Sequence, residues 1–143
     1  MLKQTMANFP NFVAFRNSDI DWMLSVGRIT EYYTGEILIK EGQAILDTVE
    51  VLLEGAFSIC VSPSGDIKDA LEIDRVNAGE IVESLSFIDN RPPSSSFIAL
   101  QQSQVLSLPR VLLINKLEED TDFATHFYQM LSIALSQQLR RLT

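Results

Sequence analysis

The sequence predicts a mainly β domain, a sandwich or barrel, with helices at both ends. Three observations lead there. Short β-favouring runs follow one another between residues 29 and 108. Turn residues punctuate them at Gly35, Gly42, Gly55, Pro63-Ser64-Gly65 and Asn77-Ala78-Gly79. Outside that stretch the apolar residues recur at helical spacing instead. Many short strands so spaced indicate a sandwich or barrel rather than a βαβ sheet.

In chain order, Ser18 with Asp21 three residues on reads as a capping box ahead of Ile20, Met23 and Leu24. That predicts a short helix over residues 18–26. Strands follow at 29–33, 37–40, 49–53, 57–61, 71–76, 96–100 and 105–108. In the fourth, Phe57, Ile59 and Val61 alternate with Ser58 and Cys60, which marks one core-facing side. Pro63-Ser64-Gly65 suits the hairpin connection after it. Pro109 fits the first position of another helix, carrying Val111, Leu112, Ile114 and Leu117. Thr121 is positioned to cap the last helix, with Asp122 in its first turn and Arg140 and Arg141 in its last. Its apolar stripe runs Phe123, Phe127, Met130, Leu131, Ala134, Leu135, Gln138, Leu139, Leu142.

At 143 residues the chain reads as one domain. Such a chain buries roughly 70% of its unfolded surface, enough for a core without staples. Cys60 is the only cysteine, so no disulfide framework and no cysteine-based metal knuckle is possible. Net charge is −8, from 19 acidic and 11 basic residues, and Arg140-Arg141 is the only local basic pair. This argues against direct nucleic-acid binding, which usually shows a basic stripe. The N-terminal residues lack the continuous apolar run of a signal peptide, and no run approaches the ~18 residues that span a bilayer. A soluble, cytoplasmic protein is expected.

Four segments, YYTGEILIKEGQ, DTVEVLLEGAFSI, NAGEIV…LSFIDNRPPSS and SLPRVLLINKL, follow one another at the spacings of a cyclic nucleotide-binding domain. Over residues 15–142 the chain resembles the sensor half of the catabolite activator family and the regulatory domains of cyclic-nucleotide-dependent kinases and channels. The resemblance implies a double-stranded β-helix, or jelly-roll barrel, over about 28–108. A short N-terminal helix precedes it, and two C-terminal helices over about 109–142 follow. It also implies that the segment after Gly79-Glu80 is the phosphate-binding cassette.

In the family that cassette offers a glycine for close backbone approach, a glutamate for the ribose 2′-hydroxyl and an arginine for the phosphate, followed by small residues. Val82 and Leu85 match the frame, but the contact residues do not. Glu83 stands at the glycine position, Ser84 at the glutamate position and Pro93 at the arginine position, with Ser94, Ser95 and Ser96 after it. Arg91 lies two positions earlier than the phosphate arginine. Losing the arginine and the ribose carboxylate removes roughly 3–6 kcal/mol of charge-assisted hydrogen bonding. Each ~1.4 kcal/mol is tenfold in affinity. The expected site is therefore a vestigial or altered pocket of Glu83, Ser84, Leu85, Arg91, Pro93, Ser94, Ser95 and Ser96. Glu83 at the start of the helical turn near residues 85–88 is expected to repel an anion.

No other constellation carries chemistry. His126 is the single histidine and is expected at the surface or an interface, and Cys60 as a small packed residue. No Ser–His–Asp, paired-carboxylate or P-loop arrangement is present, so neither an enzyme nor a cofactor is expected. The last helix, about 20 residues and ~30 Å long, exceeds what one face of a roll needs to cover. The resemblance implies that it dimerises, and the stripe of Phe127, Met130, Leu131, Ala134 and Gln138 is the expected interface of a homodimer. Two further readings stand beside a dimeric interaction module with a protein partner. One is a sensor of a cyclic nucleotide or other small molecule through a non-standard site, and the other, ranked last, is an enzyme.

Overall fold

The structure, a computed structural model, describes residues 2–143. Its elements are α1 (Leu2–Asn8), α2 (Asn17–Val26), β1 (Arg28–Tyr32), β2 (Ile37–Ile39), β3 (Thr48–Glu54), β4 (Ala56–Val61), β5 (Leu71–Asn77), β6 (Ile81–Val82), α3 (Leu85–Asp89), β7 (Ser96–Ala99), β8 (Ser103–Pro109), α4 (Arg110–Glu119) and α5 (Thr121–Leu142). All seven expected strands are present. The eighth, β6, has two residues, too few for a period to declare itself.

The strands form two antiparallel four-stranded sheets, ordered β1-β8-β3-β6 and β2-β7-β4-β5. This is a jelly roll, with its hydrophobic residues divided by the pleat. Leu52, Phe57, Ile59, Phe97 and Val105 fill the space between the sheets. Val49, Val51, Leu53, Leu106 and Leu108 point outward, under Phe12, Ile20, Met23, Leu113, Phe123 and Phe127 of the helical side. Strand β3 therefore serves two cores by alternating between them. One turn explains its glycine by contact: Gly55 has φ +104°, and a Cβ there would lie 2.0 Å from Ser103 Oγ.

The helix starts differ from expectation. The capping box of α2 sits two residues earlier, where Arg16 is the N-cap and its N–H donates to Asp19 Oδ2 at 3.2 Å. Asp19 wins over Ser18 and Asp21 because its side chain is 1% exposed, and a buried carboxylate requires the Arg16 guanidinium, 2.9 Å away. Helix α5 is capped by Asp120, which accepts from the Phe123 N–H at 3.1 Å, and Thr121 is its first helical residue. Arg16 and Lys116 converge on Asp120 as well. The Asp120 carboxyl lies well below the usual carboxylate range because of the Phe123 N–H, then Arg16 and Lys116. Pro109 is both the last residue of β8 and the N-cap of α4.

Candidate functional site

The cassette segment begins at Gly79, φ +90°, where an added Cβ would meet the Phe9 ring at 2.8 Å. Asn11 Nδ2 donates to the Gly79 carbonyl at 2.9 Å, so the N-terminal segment seats directly on this turn. Glu80 closes the turn by accepting from the Asn77 N–H at 2.6 Å. Strand β6 then pairs with β3 and delivers Glu83 to the start of α3.

Glu83 adopts φ +53°, the left-handed conformation that suits the glycine expected at this position. For a glutamate this costs about 1–3 kcal/mol. Its side chain explains what holds it there. Glu83 Oε2 accepts from the Ser86 N–H at 3.0 Å, inside the first turn of α3. The carboxylate expected to repel an anion instead accepts a hydrogen bond within its own turn. Ser84, the N-cap, makes no side-chain cap bond. At the far end Asn90, φ +59°, caps the turn through its N–H to the Ser86 carbonyl.

The eight expected site residues separate. Glu83, Ser84, Leu85, Ser94 and Ser95 line one cavity of about 60 Å³ between the cassette, β5 and α5. Pro93 is buried on the other side of the cassette, lining a cavity of about 10 Å³, and its carbonyl accepts from the Gly42 N–H at 2.9 Å. Ser96 is buried in β7, where its hydroxyl accepts from the Glu41 N–H at 2.8 Å. Arg91 is exposed and lines neither cavity, and its N–H donates to Asp89 Oδ1.

Other elements supply residues that the sequence did not reveal. Arg75 and Glu80 line the larger cavity, as do Ala134, Gln138 and Arg141 of α5. Arg75 is paired with Glu72 at 2.7 Å, and Arg141 with Asp74 at 2.9 Å. Arg110, at the start of α4, lies over the Phe87 ring and donates to Asn90 Oδ1 at 3.2 Å, tying α3 to α4. Only a three-dimensional packing brings these groups together, since Arg75 lies on β5 and Arg141 on α5.

The expected dimer set is also redistributed. Phe127, Met130 and Leu131 are buried in the chain's own helical-side core, while Ala134 and Gln138 face the cavity. As a set they cannot meet a second copy while the monomer keeps this core. The apolar residues that α5 leaves exposed are Tyr128, Ile133, Leu139 and Leu142. His126 is half-buried against Phe15, edge to face, and its Nδ1 has no partner among the described residues. Cys60 is buried beside Ser58. Among the described residues no group of acidic, histidine or cysteine side chains is arranged for a metal, and no helix is long and apolar enough to cross a membrane.

A model of the cyclic nucleotide-binding domain matches residues 29–120, which contain the whole roll, the cassette and α4. The chain belongs to the cyclic nucleotide-binding domain family. Solved structures agree on the fold. A candidate cyclic nucleotide-binding protein of Geobacter metallireducens GS-15 is 18% identical with TM-score 0.78, over 100% of this chain and 99% of its own. A transcriptional regulator of Thermotoga maritima is 27% identical with TM-score 0.67, over 87% of this chain and 98% of its own. A c-di-GMP-responsive global regulator of Xanthomonas campestris is 16% identical with TM-score 0.76, over 88% of this chain and 60% of its own. Among curated proteins none matches the sequence. The fold and the family are thereby established.

Proposed function

We propose that this domain is a dimeric signalling or interaction module that does not bind cyclic AMP or cyclic GMP through the family's ordinary contacts. One observation carries the reading: the Glu83 carboxylate occupies the N–H at the head of α3, at the position where the family's glycine would admit a phosphate. The cavity supports it. About 60 Å³ is far below the roughly 300–1,000 Å³ of ordinary small-molecule pockets. A thermal melt with millimolar cyclic AMP, cyclic GMP and AMP tests it. A ligand at ~100 times its dissociation constant adds about 2.7 kcal/mol, a shift of several degrees for a domain of this size. The expected result is no shift with any of the three, and a shift with a cyclic nucleotide alone would sink the proposal.

Dimerisation belongs to the same reading, but through another face of α5. Tyr128, Ser132, Leu135, Leu139 and Leu142 recur at alternating steps of four and three, the spacing of a two-helix seam. Tyr128, Leu139 and Leu142 are 51%, 64% and 65% exposed. A second reading, a sensor with a different ligand, is favoured by the polar side chains that line the cavity.

A further inference from the structure

We infer that the cavity beneath α5 binds a small zwitterion, a molecule bearing one carboxylate and one ammonium group. The inference rests on the reading just given, that the site has left cyclic nucleotides behind.

The cavity lining carries two cations and two anions, separated by element. Arg75 and Arg141 come from β5 and α5, and Glu80 and Glu83 from the cassette segment on either side of β6. Each has a protein partner yet keeps a polar atom in reserve. Arg75 uses Nε and Nη2 on Glu72, and Arg141 uses Nε and Nη2 on Asp74. Nη1 of each has no partner among the described residues. Glu80 uses Oε1 on the Asn77 N–H and Glu83 uses Oε2 on the Ser86 N–H, so one oxygen of each is likewise unclaimed. Ser84, Ser95 and Gln138 line the same space, with no side-chain hydrogen bond of their own among the described residues.

Charge selects the ligand class. A simple anion entering this space gains the arginines but meets two carboxylates, and a simple cation meets the reverse. An uncharged solute offers neither the spare carboxylate oxygens nor the spare Nη1 atoms a charged partner. A molecule with both charges satisfies both poles. Size sets the limit: a cavity of about 60 Å³ admits only a small solute.

Isothermal titration of the full chain with glycine, alanine and β-alanine, each into tens of millimolar, tests the inference. Acetate, methylammonium and glycerol are the half-charged and neutral controls. Saturable binding of at least one zwitterion is expected, with the controls weaker by about tenfold or more. Glu83→Gln and Arg75→Gln should each cost about tenfold in that affinity, with the melting temperature of the unliganded variant checking that the fold is intact. Backbone amide shifts at Ser84, Ser95 and Gln138 should follow the same isotherm. Silence of all three zwitterions, or acetate binding as tightly as glycine, overturns this inference alone. Saturable binding of cyclic AMP in the same titration overturns the reading beneath it, and this one with it.

Discussion

From residue 121 to 131 helix α5 buries Phe123, Phe127, Met130 and Leu131, whereas from 132 to 142 it buries none. One continuous helix is thus attached in two ways. The first half belongs to the hydrophobic core, with the Phe123 and Phe127 rings stacked at 5.9 Å and Phe127 edge-on to Phe87 of the cassette turn. The second half forms a wall of the cavity through Ala134 and Gln138 and is held to β5 by the Arg141–Asp74 pair. Salt does not screen apolar burial, and it does screen a partly exposed ion pair. The position of the second half should therefore respond to solution conditions and to cavity contents, while the first half reports only global unfolding.

The largest effect should come from attacking the first half. Phe127→Ala removes a ring that is 1% exposed and should cost about 3–5 kcal/mol in urea unfolding. A loss under about 1 kcal/mol would mean that the two halves are attached alike. Acid probes the same half at its cap. The Asp120 carboxyl is held low by the Phe123 N–H, Arg16 and Lys116. It adds stability above the unfolded aspartate range near ~4, and that stability is lost as pH falls through the lowered folded value. Asp120→Asn should therefore lower the melting temperature at neutral pH and flatten the acid limb of melting temperature against pH below ~4.

Arg141→Ala cuts the polar attachment and should cost only about 0.5–1 kcal/mol globally. Amide exchange should nevertheless accelerate most in residues 132–142, and in 121–131 by no more than the about two- to fivefold that the global loss allows. Wild-type protein in high salt should show the same local pattern. The smallest effect on stability comes from the exposed face. Leu139→Glu, at a residue 64% exposed, should stay within about ±0.5 kcal/mol of wild type when the two are compared as monomers at high dilution. It should also shift sedimentation from dimer to monomer. If Leu139→Glu leaves the sedimentation unchanged, the seam through Tyr128, Leu135 and Leu142 is wrong.

A further titration concerns the interior of the roll. Glu50 is 3% exposed, on the same face of β3 as Leu52, with the Thr48 and Ser107 hydroxyls donating to it. Burial pushes its carboxyl up, so the folded protein holds that proton to higher pH than the unfolded chain. Stability from this group is full below the unfolded glutamate range and declines as pH rises through the folded value. Glu50→Gln should raise the melting temperature at neutral pH by a few degrees and remove that decline.

The roll was legible because strands are short, alternating and bounded by turn residues, and Phe57, Ile59 and Gly55 state that pattern locally. The cassette's substitutions were legible too, since Glu83 and Pro93 sit in a frame whose spacing is fixed. Other features depend on distance in space. The stripe on α5 shows which residues are apolar but not which core or partner they meet, so Phe127, Met130 and Leu131 read as interface although they are buried in the chain's own core. Arg75 and Arg141 are separated by 66 positions, and no periodicity announces that they share a cavity (141 − 75 = 66). The Glu83 contact was hidden for a subtler reason. Repulsion of an anion and substitution for one begin from the same charge at the same position, and only the side-chain geometry separates them.

The register of β1 on β8 sets a clock for biogenesis. Arg28 is opposite Ser107, so the two strands meet across 79 residues of chain (107 − 28 = 79). At ~5–20 residues per second, a ribosome makes the second strand roughly 4–16 s after the first. For that interval Ile29 and its neighbours form an unpaired ribbon, with α1 and α2 beside them and no sheet beneath. Refolding in vitro should be slow for a domain of this size, in the millisecond-to-second range typical of chains dominated by distant pairings.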